Sequence, residues 1–290
     1  MNKKGLIPLG LALVLVGAGV ADPPPLIEAA KGGDWDAVRV LLVQGADVTA
    51  TAPDGATALH WASYWDEVET AELLIRAGAD VSAANDLGAT PLWIASLNGS
   101  ASMTRTLLDA GADPNAALLS GESPVMTAAR TGSPRVVDQL LAAGADPNAS
   151  ATRGQTALMW AAGQRHSDVV GVLLEHGADV QARSETWSQV MAVSPHSNPA
   201  NQQDVPHGGN TALTFAARVG DLSSARMLVN AGADVDDADA RGVSATVLAV
   251  HSGFGDLAEF LLNEGADPNA AEAGFSALHV AIMRRDEGIA

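Results

Sequence analysis

The chain has 290 residues, of which 47% are hydrophobic and 17% charged, so it can bury a sizeable core and is not disordered throughout. Sixteen Lys+Arg against 34 Asp+Glu give a formal charge of −18, which repels nucleic acid and anionic lipid over most of the surface. The absence of cysteine excludes disulfides, thiolate metal sites and cysteine nucleophiles, and 56 alanines against 4% aromatics suit closely packed helices better than sheets.

The N-terminus reads as an address. Lys3 and Lys4 precede an apolar run from Leu6 to Val16, and Gly19-Val20-Ala21 places small residues before a cut at Asp22. The expectation is a secretory signal peptide over 1–21 and a soluble, monomeric remainder in the periplasm or the extracellular space. The apolar stretch is shorter than the roughly 20 residues of a membrane span, so stable membrane insertion after cleavage is not expected.

From about Pro25 onward two marks keep one beat. Gly-Ala-Asp begins at Gly45, Gly78, Gly111, Gly144, Gly177, Gly232 and Gly265, at spacings of 33 with a single 55. Twelve residues after most of these comes a Thr or Ser that opens an apolar run: Thr57, Thr90, Ser123, Thr156, Thr211, Ser244 and Ser276. Each hydroxyl predicts an N-cap, with Pro91 and Pro124 at the first helical position of two repeats. Leu59, Leu92, Leu158 and Leu213 with Ala62, Ala95, Ala161 and Ala216 form an apolar stripe at helical spacing. A second helix then ends at the glycine, which can take the left-handed conformation wanted past a helix C-terminus. Asp113, Asp146 and Asp267, each followed by Pro-Asn, reinforce that stop.

These marks resemble the ankyrin repeat. The resemblance implies an all-α solenoid of stacked helix pairs with β-hairpin fingers and a concave face, about seven repeats over 22–290 with a partial one at the C-terminus. The first repeat, from Leu26 to Leu42, lacks the Thr-Pro entry and reads as a cap. The last, opened by Leu278-His279, has no second helix after it; the expectation is a fragment of a longer chain, an improvised cap over 283–290 being the other reading.

No catalytic constellation is present: there is no nucleophile elbow, phosphate loop, His-Glu-x-x-His or dinucleotide fingerprint. His60 and His279 fall in the family's structural histidine position. Asp234, Asp236, Asp237 and Asp239 invite a calcium reading, yet Arg241 and Leu248 stand where an EF-hand loop needs acids, so no metal and no cofactor are expected.

Partner contacts are the better search. In this family the partner meets the finger tips and the exposed end of the short helix. Those positions single out Tyr64, Trp65, Leu97, Arg130, Arg153, Arg218 and Arg241, with Trp187 from an insertion. Tyr, Trp and Arg are the types that dominate interface hot spots. Two readings stay open for the arginines: reception of an acidic partner, or balance against neighbouring acids. For Tyr64 and Trp65 the alternatives are partner contact and packing between helices.

The spacing of 55 exposes a 22-residue insertion around 184–206 in a finger. Trp187, Val190, Met191 and Val193 are too apolar for a solvated linker, so its first half is expected to pack on the repeats and its Pro/Asn/Gln half to loop out. The functional expectation is a non-enzymatic exported scaffold that binds another protein through the concave face and this insertion. The alternative is the recognition portion of a larger secreted enzyme or toxin whose catalytic region lies beyond residue 290.

Overall fold

Capping chemistry starts the inner helices. Thr57, Thr90, Thr156, Thr211 and Ser244 each have extended backbone, and each side chain accepts the backbone N–H three residues on. Ser123 is the exception: its hydroxyl makes no capping bond, and Pro124 supplies the preset φ of the first turn. The computed structural model describes residues 24–191, 203–270 and 274–284; the expected signal peptide, the middle of the insertion and residues 285–290 lie outside that set.

Two layers of helices alternate along the described chain. The inner layer holds α1 (Pro25–Gly32), α3 (Ala58–Trp65), α5 (Pro91–Asn98), α7 (Pro124–Thr131), α9 (Ala157–Gly163), α11 (Ala212–Val219), α13 (Ala245–Ser252) and α15 (Ala277–Arg284). The outer layer holds α2 (Trp35–Val43), α4 (Val68–Arg76), α6 (Ala101–Asp109), α8 (Pro134–Ala142), α10 (Ser167–Glu175), α12 (Leu222–Asn230) and α14 (Gly255–Asn263). Each inner helix from α1 to α13 packs on the outer helix that follows it, and successive helices of the same layer pack on one another, α15 on α13 included.

The stack is held by ladders of equivalent residues. Ala62, Ala95, Ala128, Ala161, Ala216, Ala249 and Ala281 are fully buried, and their small size lets inner helices approach closely. Leu74, Leu107, Leu140, Leu173, Leu228 and Leu261 do the same for the outer layer with larger side chains. Inner helices touch one another more extensively than outer ones, so the stack curves toward the inner layer. Each buried leucine contributes about 1.5–3 kcal/mol, through contact with its own helix pair and with neighbouring repeats.

Turns carry a second ladder. Gly78, with φ +96°, ends α4, and the Ala79 N–H donates to the Leu74 carbonyl at 2.9 Å, which closes the helix. Asp113 Oδ1 then accepts the Asn115 N–H at 2.9 Å, and Asn115 reaches the next repeat, donating to the Gly144 carbonyl and accepting the Asp146 N–H. Asn148 repeats this with Gly177 and Asp179. At Asn115 and Asn148 the Asp-Pro-Asn spelling therefore does more than end a helix: it bonds that repeat to the next.

The insertion departs from its expectation. Its two ends pair as an antiparallel ribbon, β1 (Trp187–Met191) with β2 (Gln203–His207), in the register Trp187 opposite His207 and Met191 opposite Gln203. The apolar first half thus finds its partner in the polar second half, and Val190 stays 56% exposed. Strand pairing satisfies the backbone of both segments at once, which packing one half on helices would not do.

Candidate functional site

Finger tips form the rim of the inner face. One backbone bond links each tip to the last: Asp86 N–H to the Asp54 carbonyl, Leu119 to Leu87, Thr152 to Ser120, Glu185 to Arg153 and Ala240 to Gly208, all at 2.8–3.3 Å. The ribbon leaves this line between Glu185 and Gly208, so the rim continues on both sides of it. Arg183 staples its base through the Gly209 and Ala238 carbonyls and the Asp237 carboxylate.

Tyr64 and Trp65 sit at the end of α3 as expected, 45% and 51% exposed. They belong to an edge-to-face cluster in which Trp61 meets Tyr64 at 5.8 Å and Tyr64 meets Trp65 at 5.3 Å between ring centroids. Trp65 Nε1 donates to the Lys31 carbonyl at 3.3 Å, which fixes the ring against the first repeat. The packing reading therefore holds in part, and both rings also keep about half their surface exposed. Leu97 follows on α5, and the neighbouring Asn98 amide caps the end of α3 by donating to the Ser63 and Tyr64 carbonyls.

The four arginines divide by position. Arg130 and Arg218 lie on inner helices; Arg153 and Arg241 lie on fingers. Arg130 lies over the Trp160 ring at 5.4 Å and donates to Glu122 at 3.0 Å, while Arg218 lies over Phe215 at 5.5 Å and donates to Asn210 Oδ1 at 2.8 Å. Arg153 stacks on Trp187 at 4.4 Å, and the opposite neighbour of that indole is His207 at 5.6 Å. Arg241 pairs with Asp239 at 3.2 Å. Each guanidinium is therefore held by a ring, a carboxylate or an amide, and three of the four lie over aromatic rings.

Sequence reasoning passed over Trp160 and Phe215, although each stands four residues after its capping threonine, as Trp61 does. It also passed over what is missing. The inner helices from α3 to α15 contain no Asp or Glu, whereas α2, α4, α6, α8, α10 and α14 all carry them. In a chain of charge −18 the inner helices beyond α1, which carries Glu28, present no carboxylate of their own; among the outer helices only α12 is likewise without one.

His60 is structural. Its Nδ1 accepts the Thr57 N–H at 3.1 Å and its Nε2 donates to the Ala89 carbonyl of the next repeat at 2.9 Å. Burial holds its pKa below the ordinary 6.5, against the opposing pull of the Ala89 carbonyl and Asp54. The Asp234–Asp239 run is likewise tied up: Asp234 caps the Asp236 N–H, and burial raises the Asp237 carboxyl despite Arg183 beside it. Among the described residues no group of His, Asp and Glu is arranged to hold a metal. A hollow of about 410 Å³ between α13, α14 and α15 is lined, among the described residues, by uncharged side chains.

Comparison with known proteins agrees with this architecture. The family model described as "Ankyrin repeats (3 copies)" matches residues 26–118, 115–184, 189–272 and 213–290. A search of curated proteins finds no match. The crystal structure of the human ASB11 ankyrin repeat domain is similar at a TM-score of 0.68 and 29% identity, covering 84% of this chain and 99% of that one. With the repeat marks, the capped helix pairs and the linked fingers all in phase across those matches, the chain belongs to the ankyrin-repeat family.

Proposed function

We propose that this protein is an exported, non-enzymatic scaffold that binds another protein through its concave inner face. The observation that carries the reading is the pairing of half-exposed aromatics with ring-held arginines on inner helices, α3 to α15, that carry no carboxylate. Tyr64, Trp65 and Leu97 supply apolar anchors at one end, and Arg130 and Arg218 supply charged ones further along. Stacked repeats hold these groups in place, so little ordering entropy is lost on association. Arg153 and Trp187 stiffen the base of the ribbon, which adds a contact beside the face, and Arg241 extends the rim. Export is supported by the basic, then apolar, then small-residue order of the first 21 residues.

Capture with site-specific cross-linking from the native exported fraction tests the binding role. A partner that cross-links through positions 64, 97 or 130, and whose affinity falls about 30-fold or more in Tyr64→Ala/Trp65→Ala, supports the assignment. Cross-links confined to the outer helices would overturn it. Export is tested separately by N-terminal sequencing of the protein from fractionated cells: a start at Asp22 is expected, and a cytosolic protein starting at Met1 would refute it.

A further inference from the structure

One position breaks the pattern of the inner face. Seven residues after its capping hydroxyl each repeat places a side chain on this face: Tyr64, Leu97, Arg130, Arg218, His251 and Met283. In the repeat opened by Thr156 that position is Gly163. The missing side chain opens a notch of about 300 Å³, with Trp160 and Phe215 as apolar lining, Gln155 and Gln164 as amides, and Arg130 at one wall. Gly163 has no left-handed φ to require glycine, and a Cβ there would meet Phe215 at 3.4 Å, an ordinary contact. Nothing in the backbone demands glycine; the notch is a property of the surface.

Charge selects what can enter. Arg130 lines the hollow over the Trp160 floor, and Arg218, outside the lining itself, lies over the ring of Phe215 that forms a wall. Arg130 shares one nitrogen with Glu122, its Nε is buried without a partner, and its side chain as a whole keeps 40% exposure. The outer-layer carboxylates lie a helix diameter away, about 10 Å, beyond a screening length of about 8 Å at physiological salt. A basic segment would meet repulsion from Arg130 and Arg218, and the nearby carboxylate of Glu122 is already engaged by Arg130. An acidic segment would meet Arg130 and Arg218 while one apolar side chain filled the space over Trp160.

We propose that the notch at Gly163 receives an acidic segment of the protein partner, one apolar side chain entering over Trp160 with carboxylates on either side against Arg130 and Arg218. This deepens the scaffold reading and rests on it.

The probe is a fluorescein-labelled heptapeptide with a central leucine flanked by glutamates, compared with a counterpart in which every glutamate is lysine. Fluorescence anisotropy is expected to show binding of the acidic peptide at least about tenfold stronger than of the basic one, with a loss of about tenfold or more in Arg130→Gln and in Gly163→Leu. Gly163→Leu restores the side chain that Leu97 supplies elsewhere and improves helix propensity, so a loss of binding with unchanged melting is not misfolding. Asp109→Asn on α6 is the control and leaves binding intact. Absence of binding, equal binding of the two peptides, or full binding by Gly163→Leu overturns the notch.

The cysteine-free chain allows the two readings to fail separately. Photo-cross-linkers placed through Leu97→Cys, Gln164→Cys and Asp109→Cys are challenged with the exported fraction. Capture from positions 97 and 164 supports both readings. Capture from 97 alone removes the notch and keeps the scaffold; capture from 109 alone removes both.

Discussion

At the scale of single residues, the structure shows where the repeat code is kept by substitutes. Asp66 and Arg165 hold left-handed backbone, with φ of 60° and 64°, where other repeats have Gly99, Gly132, Gly220 and Gly253. A Cβ in that region costs about 1 kcal/mol or more, so Asp66→Gly and Arg165→Gly are each expected to stabilise the fold by about 0.5–1 kcal/mol in urea titration. His60 makes a pH prediction. Its pKa is lower folded than unfolded, so the native state takes up a proton less readily. Its contribution is complete above the unfolded value of about 6.5 and is lost as pH falls toward the lower folded value. The melting difference between wild type and His60→Gln should therefore shrink from pH 7.5 to pH 5; a difference that stays constant or grows would contradict the buried neutral imidazole.

At the scale of elements, the ribbon is the novelty and the test of modularity. Its base is fixed by the Glu185–Arg153 and Ala240–Gly208 backbone bonds and by Ser184, whose hydroxyl accepts the Asn210 N–H at 3.0 Å. Those bonds lie outside the strands, so replacing 188–206 with an Asn-Gly turn between Trp187 and His207 leaves them intact. Stability should be unchanged or raised by up to about 2 kcal/mol through the shorter loop, as thermal melts would show. A collapse of the melt would mean that the ribbon holds the stack together. The sequence located this element by arithmetic, from one spacing of 55 among spacings of 33. It did not disclose the strands, because Trp187–Met191 and Gln203–His207 gain strand structure only from each other. Short segments so far apart in the chain have no local period that announces their pairing.

At the scale of the whole molecule, stability passes from repeat to repeat. Leu158, in the middle of the stack, is 1% exposed and bears on repeats to either side. Leu158→Ala should cost about 2–5 kcal/mol, whereas Val40→Ala on the exposed side of α2 should change stability by no more than about 0.5 kcal/mol. Chemical denaturation of the two variants measures the contrast, and equal effects would mean that the stack is not coupled as its packing implies. The repeat order, the helix starts at Thr57, Thr90 and Thr156, and the glycine stops were all present in the sequence, because each depends on bonds within a few residues. The same holds for the ends of α3 and α5 that carry Tyr64, Trp65 and Leu97. What only the tertiary structure decided is which side chains meet across repeats: Arg130 on Trp160, Arg153 on Trp187, and the hollow left by Gly163 against Phe215. Those contacts join residues about 30 or more positions apart, and their geometry is set by stacking rather than by any neighbour in the chain.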